Sequence, residues 1–297
     1  MASQAFQNLL SQFRAAPLDP HVGLSELRSA FDTMGFSLSP PSDASFADVD
    51  AGGVPAEWVR ASDGDVLGTM LYLHGGGYIF GSRKTHRNLV ARLCKAANVR
   101  ALSIDYRLAP EHPFPAAIED AVSSYHWLVK QGVEPSQIII AGDSAGGGLT
   151  LATLLSLRDA GAPLPAVAVC LSPCTDHAQT GESIRTKADV DPLISSELIT
   201  VCTQHYLGSS VDVRNPLASP LYATLTGLPP MLIMVGSAEV LLDDSVRLAD
   251  KARAQGVDAD LVVADDMTHT WPFFAGAFPE AQEGVELIAS YIRRQLS

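Results

Sequence analysis

The chain is short of the residues that would tie it to several common classes of protein. It has four cysteines in 297 residues, at positions 94, 170, 174 and 202. That is too few for a secreted disulfide framework of this length, and Cys170 and Cys174 lack a second pair at zinc-ligand spacing. Reduced, structural thiols in a cytoplasmic protein are expected. Basic residues are also scarce: 20 Lys+Arg stand against 33 Asp+Glu, a net charge of −13. Such a field repels phosphate, which argues against sequence-independent nucleic-acid binding and against adhesion to anionic lipid. A neutral small molecule is the better partner. No apolar run approaches a membrane span; the longest, such as MLIMV (231–235) and AVAVCL (166–171), have the length of buried strands. The opening MASQAFQNLLSQFRAAPLDP carries neither a basic start followed by an apolar stretch nor a cleavage signal, so export is not expected. Repeats, low-complexity tracts and long Gly/Ser linkers are missing too, and with them any obvious two-domain boundary.

What is present is a core. Hydrophobic residues make up 47% of the chain and charged ones 18%, the balance of a globular protein. Short apolar segments at 99–105, 137–142, 166–172, 231–236 and 259–264 read as strands of a parallel sheet covered on both faces. Between them, 85–97, 116–131, 146–160, 243–255 and 280–296 have helical spacing. The result is a doubly wound α/β sheet. Upstream, 54–60 and 69–74 flank an Asp-Gly turn signal at 63–64 and are predicted to pair antiparallel. Two stretches, 1–44 and 176–215, break the alternation with helix-like spacing and no convincing strand. A connection much longer than a few residues is usually a lid or binding element. The two are read as one discontinuous helical cap over a catalytic domain formed by 45–175 and 216–297.

The strongest local signal is Gly142-Asp143-Ser144-Ala145-Gly146, a G-x-S-x-G match. It follows the apolar Ile138-Ile139-Ile140-Ala141 and opens a helix, the setting of a strand-to-helix nucleophile elbow. A phosphate-binding βα turn is the alternative, but no P-loop lysine follows. A serine hydroxyl needs a general base and an orienting acid. In α/β-hydrolases the chain order is serine, acid, histidine. Of the histidines after Ser144, His177 and His205 fall in the expected cap, whereas His269 lies just past the strand 259–264. His269 is the expected base. For the acid, Glu239, Asp243 and Asp244 compete beyond the strand 231–236; Glu239 is nearest the strand end and is favoured, with Asp243 second. Asp265 and Asp266 share the loop of His269 and read as solvated turn residues. Acyl transfer also needs N–H donors for the oxyanion. The run His74-Gly75-Gly76-Gly77-Tyr78 after the strand at 69–73 supplies unobstructed ones, and the N–H of Ala145 another. His74 itself reads as a loop-ordering residue.

Taken together, HGGGY (74–78), DYRLAPEHPFPAA (105–117) and GDSAGGG (142–148) resemble the hormone-sensitive-lipase family of bacterial esterases, which have the α/β-hydrolase fold. The likeness continues through LSPCTD (171–176), SPLYATLTGLPP (219–230) and MTHTWPFF (267–274). The resemblance implies a carboxylester hydrolase acting on short acyl chains, a mostly parallel sheet with helices on both faces, and a helical cap. It implies that Gly76 and Gly77, with Ala145, form the oxyanion hole, and that 105–117 is mainly a structural loop near the site. Where the family often has Asp-Pro-Leu at its acid position, this chain has Glu239-Val240-Leu241. Glutamate suffices chemically, since it need only accept the imidazole N–H.

The expected chemistry is therefore two-step acyl transfer by Ser144, His269 and Glu239, with no metal or cofactor. Amide, thioester or carbamate cleavage by the same triad is the alternative. Plant gibberellin receptors, which share the fold without the catalytic histidine, represent a non-catalytic reading that His269 opposes. An interfacial lipase is disfavoured by the polar character of 176–215. The segment 259–264 is expected to be the last strand, an open edge through which two copies could pair as a homodimer.

Overall fold

The computed structural model describes residues 2–61 and 64–297. Two helices come first, α1 (Gln4–Ala15) and α2 (Leu24–Phe36), then the hairpin β1 (Ser45–Asp50) and β2 (Pro55–Arg60). Next are β3 (Thr69–Leu73), α3 (Arg87–Ala97), β4 (Arg100–Ile104), α4 (Ala116–Lys130), β5 (Ile138–Asp143), α5 (Ala145–Asp159) and β6 (Val167–Leu171). After β6 come α6 (Ser183–Thr186) and α7 (Ser196–Leu207), and the chain closes with β7 (Met231–Gly236), α8 (Leu242–Ala254), β8 (Ala259–Ala264) and α9 (Pro279–Leu296).

The strands form one sheet in the order β1-β2-β4-β3-β5-β6-β7-β8. From β4 to β8 every pairing is parallel; β2 runs antiparallel to both β1 and β4. The central strands β3, β5, β6 and β7 are buried along their whole length, which is why they read as unbroken apolar runs. Large apolar clusters cover both faces, one including Leu149 and Leu154 of α5 and Leu248 of α8, the other Leu89 of α3 and Ile288 of α9. This is the α/β-hydrolase architecture. No helix among the described residues is long and apolar enough to cross a membrane.

One expected pairing is corrected. Segments 54–60 and 69–74 are not partners: β2 lies against β4, and β3 sits between β4 and β5. The Asp63 of the turn signal lies outside the described residues. β3 is apolar on both faces and belongs in the middle of the sheet, whereas β2 has exposed ends and suits a position nearer the rim. The true hairpin partner of β2 is β1, joined through Gly52 and Gly53 at φ 76° and 94°. β1, Ser-Phe-Ala-Asp-Val-Asp, escaped notice because an edge strand with only two half-buried residues has little apolar signal. At the other end β8 is the terminal strand, as expected, and exposes Val263.

The segments before β1 and between β6 and β7 are helical and contain no strand among their described residues. Serine caps begin two of their helices: the hydroxyl of Ser3 accepts from the N–H of Phe6, and that of Ser195 from the N–H of Leu198. α2 is fastened to the loop after β3 by Arg28, which donates to the carbonyls of Ile79 (2.7 Å) and Ala109 (3.1 Å) and pairs with Glu111.

Candidate active site

The carboxyl ends of β3, β5, β7 and β8 bring together the residues singled out from the sequence. Ser144 occupies the turn from β5 into α5 at φ 54°, ψ −120°, a strained conformation for a residue with a Cβ. The turn closes because its flanks are glycine. A Cβ on Gly142 would lie 2.3 Å from the Gly146 carbonyl oxygen, and one on Gly146 would lie 2.0 Å from that of Leu73. Any other residue at either position would push the elbow open.

The glycine run after β3 packs just as closely. A Cβ on Gly75 would meet the Asp143 carboxylate at 2.2 Å, one on Gly76 the Phe80 carbonyl oxygen at 2.1 Å, and one on Gly77 the Cys202 sulfur at 2.3 Å. Asp143 therefore does more than fill the elbow motif. Its carboxylate accepts from Tyr72 Oη (2.7 Å) and from the N–H of Gly75 (3.0 Å), and it faces His86 Nε2 (3.3 Å). Burial alone would raise its pKa, but His86, Tyr72 and His74 together hold it below the usual carboxylate range. The charged form thereby ties the elbow to the glycine loop. His74 is neutral, its pKa pushed down to about 4 by burial and by His86. It stacks on Tyr106 with ring centroids 4.2 Å apart, and Tyr106 Oη donates to the His74 carbonyl at 2.7 Å. His74 orders the loop, and Tyr106 shows how segment 105–117 supports it.

Of the acids considered, Glu239 reaches the histidine. Its Oε2 lies 2.8 Å from His269 Nδ1, and its Oε1 accepts from Ser172 Oγ (2.9 Å) and from the N–H of Gly236. The carboxylate is fully buried. Asp243 instead accepts from the N–H of Ser183 (2.9 Å), and Asp244 from the N–H groups of Thr175 (2.7 Å) and Asp176 (2.9 Å). Those two hold the segment after β6 against α8. For His269, burial lowers the imidazole pKa, but the hydrogen bond and charge of Glu239, with Asp191 and Asp143, raise it further, and the net shift is upward.

Two residues here were missed in the sequence. Ser172, at φ 42°, donates to Glu239 and accepts from the N–H of Thr270 (3.1 Å), so it holds the acid and the histidine loop together. Asp191 accepts from the N–H groups of Leu193 and Ile194 (3.0 Å each) and of Val240 (2.9 Å), linking the segment before α7 to the acid loop. Ser172 lies within LSPCTD (171–176), but its partners Glu239 and Thr270 are remote in sequence; Asp191 stands in no motif, and its contact with the acid loop, at Val240, spans 49 residues.

Ser144, Ala145, Gly76, Gly77 and His269 line one cavity of about 790 Å³, counted to its open mouth. Phe31 and Met34 of α2 and Leu198 and Ile199 of α7 also line it. None of its lining residues is Lys or Arg. Among the described residues no group of three or more His, Cys, Asp or Glu is placed to hold a metal ion.

A serine on a strained strand-to-helix turn at the middle of a mostly parallel sheet is the architecture of the α/β-type hydrolases. The chain belongs to the alpha/beta hydrolase fold family, whose model matches residues 70–273. It is 42% identical to an acetyl-hydrolase of Streptomyces hygroscopicus over 92% of this chain and 88% of that one. It is 33% identical to an esterase of Acinetobacter venetianus over 96% and 94%. Among solved structures, an esterase of the bacterial hormone-sensitive lipase family superposes with a TM-score of 0.95 at 44% identity, covering 100% of both chains. A crystal of the esterase EstE5 soaked with p-nitrophenyl butyrate gives 0.94 at 42% identity, covering 99% of both. The protein is a serine ester hydrolase.

Proposed function

We propose that the protein hydrolyses neutral, short-acyl carboxylic esters through a Ser144-His269-Glu239 triad and a covalent acyl-enzyme. The observation that carries this is the 2.8 Å contact of His269 Nδ1 with buried Glu239, in the wall of the cavity that holds Ser144. With Nδ1–H donated to Glu239, Nε2 is free to take the Ser144 proton as Oγ attacks the ester carbonyl. The N–H groups of Gly76, Gly77 and Ala145 hold the oxyanion. His269 then protonates the leaving alcohol and activates the water that releases the acid. Residues 1–44 and 176–215 act as the cap, closing over the carboxyl ends of the strands.

Support for short neutral substrates comes from the cavity's apolar wall without Lys or Arg, from the acetyl-hydrolase among its relatives and from the butyrate ester soaked into EstE5. The test is a p-nitrophenyl ester series of acetate, butyrate, octanoate and palmitate. We expect kcat/KM for acetate or butyrate to exceed that for palmitate by at least about tenfold. Highest activity on palmitate would defeat the short-acyl reading.

The pH profile checks the base independently. His269 acts as a base only when neutral, and its pKa is raised, so the proton must be removed at a higher pH than from a free imidazole. The acid limb of kcat/KM is expected above the ordinary value of about 6.5. A rate unchanged from pH 5 to pH 9 would exclude an imidazole base.

A further inference from the structure

The glycine loop after β3 ends in a strained turn. Gly77 has φ 59° and Tyr78 φ 64°, and a bulky residue keeps that left-handed conformation only where its surroundings hold it. Of the rings around Tyr78, that of Tyr206 on α7 is the nearest: the two lie within 2° of parallel with centroids 3.8 Å apart, against 6.0 Å for His177 and 6.4 Å for Tyr106. Cys202 stands one helical turn before Tyr206 on the same face of α7, and its sulfur fills the space that a side chain on Gly77 would need. One face of α7 therefore packs on two successive residues of the loop, at its most strained point. Tyr206 is itself braced. Its carbonyl accepts from the N–H of Phe114 at 2.8 Å, and the Phe114 ring meets its own edge-on with centroids 5.7 Å apart. The start of the loop is held separately, by the N–H of Gly75 on Asp143 at 3.0 Å.

We propose that Tyr206 is a positioning residue for the oxyanion hole: by laying its ring on Tyr78, α7 holds the strained end of the glycine loop and so keeps the N–H groups of Gly76 and Gly77 aimed at the reacting carbonyl. The inference rests on the assignment of those two residues to the oxyanion hole and deepens it. Donors to an oxyanion must be in place before the charge develops, and a misplacement of about 1 Å costs about a hundredfold in rate. Without the ring of Tyr206, Tyr78 can relax out of its left-handed conformation, and Gly77, having no side chain, offers little resistance to following it. Tyr206 does not itself line the cavity, so its loss removes no contact with the bound ester. The effect therefore falls on the transition state and appears in kcat rather than in KM. Since α7 belongs to the segment between β6 and β7, the seating of that segment and the completion of the oxyanion hole become one event.

The experiment measures p-nitrophenyl butyrate kinetics and inhibition by an alkyl trifluoromethyl ketone, which adds to the serine oxygen as a tetrahedral adduct whose oxyanion needs the same N–H groups. Tyr206→Leu is expected to lower kcat at least about tenfold with KM changed by less than about twofold, and to weaken the ketone in step with kcat/KM. The acid limb of the pH profile should stay in place, because His269 and Glu239 are untouched. Tyr206→Phe keeps the ring and should restore most of the rate. If the leucine variant does not fold, Cys202→Ala takes its place, with a fall in kcat of about threefold or more and a matching loss of ketone affinity expected. An unchanged kcat in the variant that folds, a loss that appears in KM, or a shifted acid limb overturns the proposal while leaving the esterase reading intact. An unmodified protein that cleaves the ester but resists the ketone overturns both the proposal and the oxyanion-hole assignment, and one that cleaves no ester overturns the esterase reading with them.

Discussion

Ser144→Ala is expected to lower kcat on p-nitrophenyl butyrate by roughly 10^6-fold, leaving a residue of rate that other parts of the site supply. The loss is so large because the attacking oxygen itself is removed. Alanine keeps the Cβ that defines the elbow, and the backbone bonds that hold it are untouched: the Ser144 N–H donates to the Leu171 carbonyl at 2.8 Å, and the Ser144 carbonyl accepts from Cys174 and from Gly148 (3.1 Å). Fold and stability should therefore survive, and a thermal melt alongside the assay separates lost chemistry from lost structure. Turnover within a factor of ten of the unmodified protein would remove the covalent mechanism altogether.

The second large effect concerns the acid. Glu239→Gln should reduce kcat by roughly 10^3- to 10^4-fold, as expected when an orienting carboxylate is replaced by an amide that favours the wrong imidazole tautomer. The substitution also removes the charge that lifts the His269 pKa, so the acid limb of whatever activity remains should move to lower pH. Asp243→Asn is the matched control. Its carboxylate serves the N–H of Ser183, so the change should cost about 1 kcal/mol of stability at most and alter kcat by only a few-fold. Steady-state kinetics and melts on the two variants decide the point. If Asp243→Asn is the more damaging, the assignment of Glu239 fails.

Much of this site was legible because its parts are local. The elbow needs small residues two before and two after Ser144, and the reason is steric: the turn brings the position of Gly142 against the Gly146 carbonyl. The three glycines after β3 carry the same kind of signal. Position at a strand end also separated Glu239 from Asp243, since a carboxylate three residues past Gly236 can fold back onto that residue's N–H. The pairing of β2 was misread for the opposite reason. An Asp-Gly dipeptide is a local signal, but which strand fills the place beside β2 depends on burying β3 on both faces, and that is a property of the whole sheet.

Composition, strand–helix alternation and three short motifs thus determined the fold class and the nucleophile candidate, because each depends on neighbours within a few residues, and chain order after Ser144 singled out His269 as the base candidate. Only the tertiary structure decided the rest. Ser172 bridges to Glu239 across 67 residues of chain and to Thr270 across 98, and His86 and Asp143 meet across 57. Such contacts have no periodicity and no fixed spacing. They exist because folding removes these polar groups from water and each must then find its partner in whatever the sheet has brought alongside.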